Sequence, residues 1–325
     1  MKVIDIVDHG KNSQLILAKK TIPSPKEGEV LIDVQASGVN RPDILQRYGL
    51  HPPPDGSPDH PGLEVSGTVR EVGSKVKKFK IGDKVIALLG GGGYAEYCLA
   101  NQELTLPMPE NLSFREAAAI PETYFTVWNN IFRIGKLKSN ENILIHGGSS
   151  GIGTTAIQMS KEFGANVITT TSNRDKLNRC YKIGADLVVN YSNQDFYEEI
   201  KKSKYNEIDV ILDIVGGDYT NKNYALSAMN ARIIQIAYLK GSLCKIDLSH
   251  IMRKSLTHTG SVLRPKNLEY KAAIANDIES KILPLIGAGK IKPIIYKSFH
   301  LEEADQAHDL MKSGKHFGKI ILTRE

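Results

Sequence analysis

Two domains are expected: a β-rich unit built from both ends of the chain and, between them, an α/β unit with a doubly wound parallel sheet. Three observations predict this. The chain has 325 residues, above the size at which one hydrophobic core stops growing. Short β-branched runs broken by Pro and Gly fill roughly the first hundred positions, the pattern of an all-β unit. From residue 142 onward, near-continuously apolar strands alternate with helical stretches, which puts the strands in a parallel sheet covered on both faces.

In the first unit the strand runs are KVIDIV, EVLIDV, LEVSGTV and DKVIALL. The stretch NRPDILQRYG reads as a helix, with Pro42 in its first turn and Gly49 just past its end, the usual asymmetry of helix termini. SFRE sets Ser113 three residues before Glu116 as a capping box. AAAIPETYFTVWNNIF then carries helical spacing through Pro121 and marks the junction between domains. The α/β unit follows as ILIHG, a helix from about Gly151 to Phe163, NVITTTS, a helix around 175–183, DLVVNY and a short helix near 196–202. IDVILDIVG, a helix over 219–229, ARIIQIAY and SLTHTGSVL complete it. The last 60 residues hold two helices, NLEYKAAIANDIESKILPLI and EEADQAHDLMKSG, and a terminal strand KIILT. Too short to fold alone, they return to the first unit. The expected domains are therefore residues 1–122 with 266–325, and 123–265.

Composition narrows the function. With 41% hydrophobic and 24% charged residues, the chain is an ordinary folded protein and neither disordered nor fibrous. The net charge of +6 is spread out, and the KVKKFK cluster at 75–80 reads as a solvated face; no specific nucleic-acid partner is expected. Cys98, Cys180 and Cys244 lie far apart without a C-x-x-C pair, which argues against a disulfide framework or a cysteine zinc site and suits a reducing cytoplasm. No signal peptide or membrane span is visible.

The run ILIHGGSSGIG at 143–153 stops an apolar strand at a glycine turn that opens a helix. The first N–H groups of such a helix face an anion. Gly148, Gly151 and Gly153 suit the tight turn, the close approach of a pyrophosphate and helix–strand packing, although the spacing G-x-x-G-x-G, with Ser150 in the middle, departs from the commoner form. About 20 residues on, a domain that binds NAD carries an acid for the ribose hydroxyls. Here the strand ends at Thr171 and Ser172, followed by Arg174 and Lys176, groups that suit a 2′-phosphate and favour NADPH. Two charge-assisted bonds there would give a preference on the order of a hundredfold. The alternative has Arg174 and Lys176 as solvated helix residues and Asp175 as the acid. A second glycine run, LGGGGYAEY at 89–97, has no Lys-Ser or Lys-Thr after it and reads as a hairpin loop.

Taken together, GVNRPDILQRYG, DHPGLEVSGTV, KIGDKV, GGYAEYC, AAIPETYFTVW, ILIHGGSSGIGTTAIQ and LKSGKHFGKIIL resemble the medium-chain dehydrogenase/reductase superfamily over the whole chain. The match is nearest to its zinc-free quinone oxidoreductases, the zeta-crystallin-like group, and to the tumour-suppressor-induced branch by AAAIPETYFT and HFGKI. The resemblance implies a GroES-like β-barrel domain closing over a Rossmann domain with the active site in the cleft. It also implies a homodimer in which Rossmann edge strands pair, with ARIIQIAY and LTHTGSVL apolar enough to serve. Zinc members carry ligands where this chain has Asn40, Leu63 and Glu122. His60 and Glu64 without a third anchor do not make an open zinc site, and no metal is expected.

Without a Lewis acid the substrate must spread the developing charge itself, as a quinone or another conjugated carbonyl does. The resemblance further implies Asn40 and Thr126 near the nicotinamide half, Gly148, Ser149, Ser150, Gly151 and Ile152 at the pyrophosphate, and Ser172, Arg174, Lys176 and Tyr191 around the 2′-phosphate. Leu263 and Lys319 are further candidates. Other readings are a packed strand-end aromatic for Tyr191 and a surface charge for Lys319. Where relatives have a tyrosine before the proline run, this chain has His51, with Tyr48 nearby; either His51 donates a proton or it is a solvent-facing loop residue. The expected function is an NADPH-dependent quinone reductase passing a hydride or single electrons. Two alternatives stand beside it: an enone, enal or enoyl-thioester C=C reductase, and an NADPH-binding sensor or structural protein with little turnover.

Overall fold

A computed structural model describes residues 1–324; Glu325, the last residue of the expected first domain, lies outside the described residues. The chain divides into two units, Met1–Phe125 with Arg264–Glu325, and Thr126–Leu263. The first begins with an antiparallel hairpin of β1 (Lys2–Val7) and β2 (Gln14–Lys19). Next come β3 (Glu29–Val39), α1 (Arg41–Arg47), β4 (Glu64–Val72), β5 (Lys84–Leu88), β6 (Tyr97–Asn101) and β7 (Thr105–Pro107). Alternation decides their faces: Val30, Ile32 and Val34 of β3 point to one core with Val65 and Val69 of β4, Val85 and Ala87 of β5, and Cys98 and Ala100 of β6.

The glycine run at 89–97 is not a hairpin loop. It leads from β5, which pairs β4 and β7, to β6, which pairs β3, so it crosses the sheet instead of turning between neighbours. The junction helix also differs from expectation. It breaks into α2 (Phe114–Ala117) and α3 (Pro121–Val127), because Pro121 has no N–H to continue the ladder and takes the first position of a new helix. From Trp128 to Ile134 the chain goes on in π-helical turns.

In the second unit, β8 (Asn142–Ile145), α4 (Gly151–Glu162), β9 (Asn166–Thr171), α5 (Arg174–Lys182), β10 (Leu187–Asn190) and α6 (Phe196–Lys201) are followed by β11 (Ile208–Asp213). Then come α7 (Tyr219–Leu226), β12 (Ser227–Gln235), α8 (Ser249–Lys254) and β13 (Thr257–Gly260). The helix expected over 219–229 ends at Leu226, where Ser227 already pairs with Ile208. All neighbours are parallel, in the order β10-β9-β8-β11-β12-β13. This is the Rossmann order, with its switch point between β8 and β11. Leu144, Ile168, Val189, Ile211 and Ile233 carry the core from strand to strand. ARIIQIAY is an interior strand held by β11 and β13, so of the two runs thought fit for an edge only LTHTGSVL, as β13, lies at one.

The returning segment adds α9 (Leu268–Asp277), α10 (Leu283–Gly287), β14 (Ile295–His300), α11 (Ala304–Lys312) and β15 (Lys319–Thr323). β14 escapes the sequence reading because only Phe299 of IYKSFH is buried, the signature of an edge strand. The first unit's sheet runs β14-β15-β3-β4-β5-β7, with β6 on β3. Among the described residues no helix is long and apolar enough to cross a membrane. Leu144 is fully buried in the middle of its sheet, and Leu144→Ala is expected to cost about 2–5 kcal/mol, read as a lower urea midpoint for the second unit.

Candidate functional site

The first unit gathers its ionisable side chains around Asn40. Antiparallel pairing of β3 with β4 and with β15 brings Asn40, Glu64 and Lys319 to adjacent strand ends. Lys319 is 4% exposed and Glu64 0%, so the other reading of Lys319, a surface charge, does not hold. Its ammonium has three N–H donors, and all three are committed: to Val39 O at 3.0 Å, Asn40 Oδ1 at 2.5 Å and Glu64 Oε1 at 2.6 Å. Asn40 Nδ2 donates to Glu64 Oε1 at 2.8 Å, and the Glu122 backbone N–H donates to Glu64 Oε2 at 2.8 Å. Asn40 thus has its amide gripped at both ends. Gly38 is required beside it, since a Cβ there would stand 2.0 Å from Glu64 Oε1.

A second layer supports the first. Asp43, in the first turn of α1, accepts from Asn40 N–H at 2.8 Å, Gly62 N–H at 3.0 Å and Tyr94 OH at 3.3 Å. Burial outweighs these bonds and pushes its carboxyl up to about 6. Arg264, which opens the returning segment, donates to Gly90 O at 2.9 Å, His51 O at 2.9 Å and Gln46 Oε1 at 2.7 Å, tying two loops to α1. His51 is half-buried, and burial with the nearby Arg264 charge holds its imidazole below its usual value. Tyr48, also half-buried, lies beside Lys312 of α11. Glu122, in the first turn of α3, is half-buried; among the described residues its carboxyl forms no hydrogen bond or ion pair. Burial and the Glu64 charge push that carboxyl up to about 8.

The second unit forms the glycine turn at the carboxyl end of β8. Ser150 caps α4, its Oγ accepting from Gly153 N–H at 2.9 Å, and the first internal bond of the helix is Thr154 N–H to Ser150 O at 2.9 Å. The N–H groups of Gly151 and Ile152 precede that bond and point out of the helix end. A Cβ on Gly153 would stand 2.3 Å from Gly147 O, so only glycine lets the turn close. These features fit a dinucleotide pyrophosphate. At the ends of β9 and β10, Tyr191 N–H donates to Thr171 O at 2.9 Å and Ser192 Oγ to Ser172 O at 2.7 Å, bringing Ser172 and Tyr191 together. Tyr191 is 42% exposed, so it is not a packed aromatic, whereas Lys176 is 5% exposed and not a solvated charge. Arg174 and Asp175 are exposed. Thr126 is half-buried on α3, and Leu263 is buried at the end of the unit.

Sequence reasoning missed a buried chain beneath the turn. His146 Nε2 meets Asn223 Oδ1 at 2.8 Å, Asn223 Nδ2 donates to Asp213 Oδ2 at 2.9 Å, and Thr170 Oγ1 meets both His146 Nδ1 and Gly147 N–H at 3.2 Å. Asp43 and Arg264 were missed as well. A polar residue at the end of an apolar strand, as His146 and Asp213 are, is the one signal that marks such positions.

Comparison with known proteins agrees with this architecture. A family model described as alcohol dehydrogenase GroES-like domain matches residues 26–110, and one described as zinc-binding dehydrogenase matches residues 183–322. The quinone oxidoreductase of Sus scrofa is 34% identical over 93% of the chain and 91% of its own length. The crystal structure of Escherichia coli quinone oxidoreductase complexed with NADPH is similar at TM-score 0.86 and 27% identity, covering 99% of this chain and 100% of that one. JamJ enoyl reductase is similar at TM-score 0.85 and 27% identity, covering 99% and 98%. The donor set here does not fit a zinc ion: where the family resemblance implies ligands the chain has Asn40, Leu63 and Glu122, and both oxygens of Glu64 are engaged, by Lys319, Asn40 and the Glu122 N–H. Among the described residues no three His, Cys, Asp or Glu side chains come together to hold a metal ion.

Removing one partner of a buried ion pair strands the other charge. Lys319→Met is therefore expected to cost about 3–5 kcal/mol. The double variant with Glu64→Gln should lose less than the sum of the two single losses, by about 0.5–3 kcal/mol in a urea double-mutant cycle.

Proposed function

The chain belongs to the quinone oxidoreductase family of the medium-chain dehydrogenases/reductases, and from that membership we propose that it is an NADPH-dependent reductase of quinones that works without a metal. That it is an oxidoreductase of this superfamily follows from the likeness; the cofactor and the acceptor are the finer reading. The observation that supports the cofactor reading is the stretch after β9, where an NAD-binding domain would hold an acid and this chain has Ser172 and, in the first turn of α5, the buried Lys176. A 2′-phosphate dianion would be matched there by hydroxyl and cationic groups.

When bound, NADPH supplies a hydride from C4 of its nicotinamide. The N–H groups at Ser149, Gly151 and Ile152 would hold the pyrophosphate, while Ser150, its own N–H donated to Gly147 O at 3.0 Å, and Gly148, where a Cβ would stand 2.2 Å from Thr169 Oγ1, shape the turn that presents them. Ser172, Arg174, Lys176 and Tyr191 hold the 2′-phosphate. Asn40, Thr126 and Leu263 orient the nicotinamide half, and Lys319 acts through the Asn40 amide that it fixes. With Asn40, Leu63 and Glu122 at the zinc positions, no protein-bound Lewis acid is available to an alkoxide. The acceptor then has to delocalise the arriving charge, as a quinone does. The likeness to JamJ enoyl reductase favours a second reading, reduction of a conjugated C=C bond by the same cofactor. Pairing of β13 across a twofold axis would make a homodimer, and three unpaired cysteines suit a reducing, cytoplasmic setting.

NADPH and NADH oxidation with a small ortho-quinone and with a simple enone, after dialysis against a chelator, tests the reading. Quinone turnover that prefers NADPH and survives chelation supports it, loss on chelation overturns the metal-free mechanism, and C=C reduction without quinone turnover favours the second reading. Lys176→Glu is expected to raise the NADPH KM on the order of a hundredfold and to leave the NADH KM within a few-fold; equal effects would remove the phosphate assignment.

A further inference from the structure

We propose that Glu122 is the proton donor of the reduction, giving its carboxyl proton to the acceptor as the hydride arrives. The proposal rests on the reading of this chain as an NADPH-dependent reductase.

Geometry singles the residue out. The four charged side chains that bond into the network around Asn40 are spent on protein partners: Lys319 on Val39, Asn40 and Glu64; Glu64 on Lys319, Asn40 and the Glu122 N–H; Asp43 on Asn40, Gly62 and Tyr94; Arg264 on Gly90, His51 O and Gln46. Glu122, by contrast, binds the network through its backbone and leaves its carboxyl unbonded and half-buried. It stands four residues ahead of Thr126 on α3, which puts both side chains on one face of that helix, the face assigned to the nicotinamide half.

The charges facing the carboxyl are Glu64 of β4, Asp43 of α1, Lys319 of β15 and Arg264, with Lys271 of α9 also within electrostatic reach. Burial and the two acids dominate over the cations, and the carboxyl is pushed up to about 8. It is therefore protonated at neutral pH, where His51, held below its usual value, has already lost its proton. The step balances. The C4–H bond of the nicotinamide breaks with its electron pair and a new bond to hydrogen forms on the acceptor, so that NADPH is oxidised by two electrons and the acceptor reduced by two. The Glu122 O–H bond breaks, the acceptor's oxyanion becomes a hydroxyl, and the carboxylate regains a proton from water before the next turnover.

The sign of the pH dependence follows: activity is present while Glu122 is protonated and is lost as pH rises through about 8. In steady-state kinetics with NADPH and an ortho-quinone or an enone, the wild-type kcat should fall tenfold per pH unit above that value. Glu122→Gln should lower kcat at pH 7 by about a hundredfold or more, abolish the alkaline limb and leave NADPH affinity, read by nicotinamide fluorescence, within about twofold. Glu122→Asp should keep the limb at a reduced rate. A Glu122→Gln enzyme with nearly full kcat, or a limb that survives in it, overturns the proposal, as does a wild-type profile flat to pH 10. Loss of NADPH affinity in both variants would assign Glu122 to binding and likewise overturn it. If the wild type binds NADPH but turns over neither acceptor, the reductase reading itself fails, an outcome separate from those above.

Discussion

The first unit depends on one buried ion pair. Lys319 and Glu64 meet at 2.6 Å with almost no exposure, and the desolvation of two such charges costs several kcal/mol each in an apolar interior. What offsets it is that every donor and acceptor of the pair is used. The ammonium also binds Val39 O and Asn40 Oδ1, and the carboxylate also binds Asn40 Nδ2 and Glu122 N–H. A pair of this kind is better understood as fixing geometry than as adding stability. It sets β15 against the end of β3, holds Asn40 in one orientation and anchors the first turn of α3. Gly38 leaves the space it occupies.

The second unit solves a different problem, a turn that must present N–H groups outward without collapsing. Ser150 takes the Gly153 N–H, so the remaining groups at the helix end stay directed away from the protein. Beneath them, Asp213, Asn223, His146 and Thr170 are linked end to end. Burial keeps His146 below its usual value, so a neutral ring bridges the two side chains. The carboxyl ends of β8, β9 and β11 are thereby tied to α7, and the turn rests on a floor that is fully hydrogen-bonded. Fully satisfied polar networks of this kind rigidify what they support.

Much of this architecture was legible in the residues. The alternation of apolar strands with helices predicts the parallel sheet, and the glycine turn lies where a strand hands over to a helix. Capping is equally local: Ser113 and Glu116 form their reciprocal box, and Pro42 sits in the first turn of α1. Failures came where a local rule met a longer-range one. Helical spacing runs straight through Pro121, yet the missing N–H divides the helix. Glycines at 89–97 look like a hairpin, but the strands on either side pair with different partners. IYKSFH buries too little to announce itself as a strand.

By itself, the sequence determined the two kinds of layer, the glycine turn between β8 and α4, and the uncharged Thr171 and Ser172 at the end of β9. Each depends on periodicity or on residue identity within a short stretch. Only the tertiary structure decided that Lys319 reaches Asn40 from 279 residues away, that Arg264 clamps the loops of His51 and Gly90, and that Lys176 is buried while Arg174 is not. Among the described residues it also left the Glu122 carboxyl without a hydrogen-bond or ion-pair partner. The physical reason is register: which side chains meet at the ends of β3, β4 and β15 follows from strand pairing across the sheet, and no spacing along the chain encodes it.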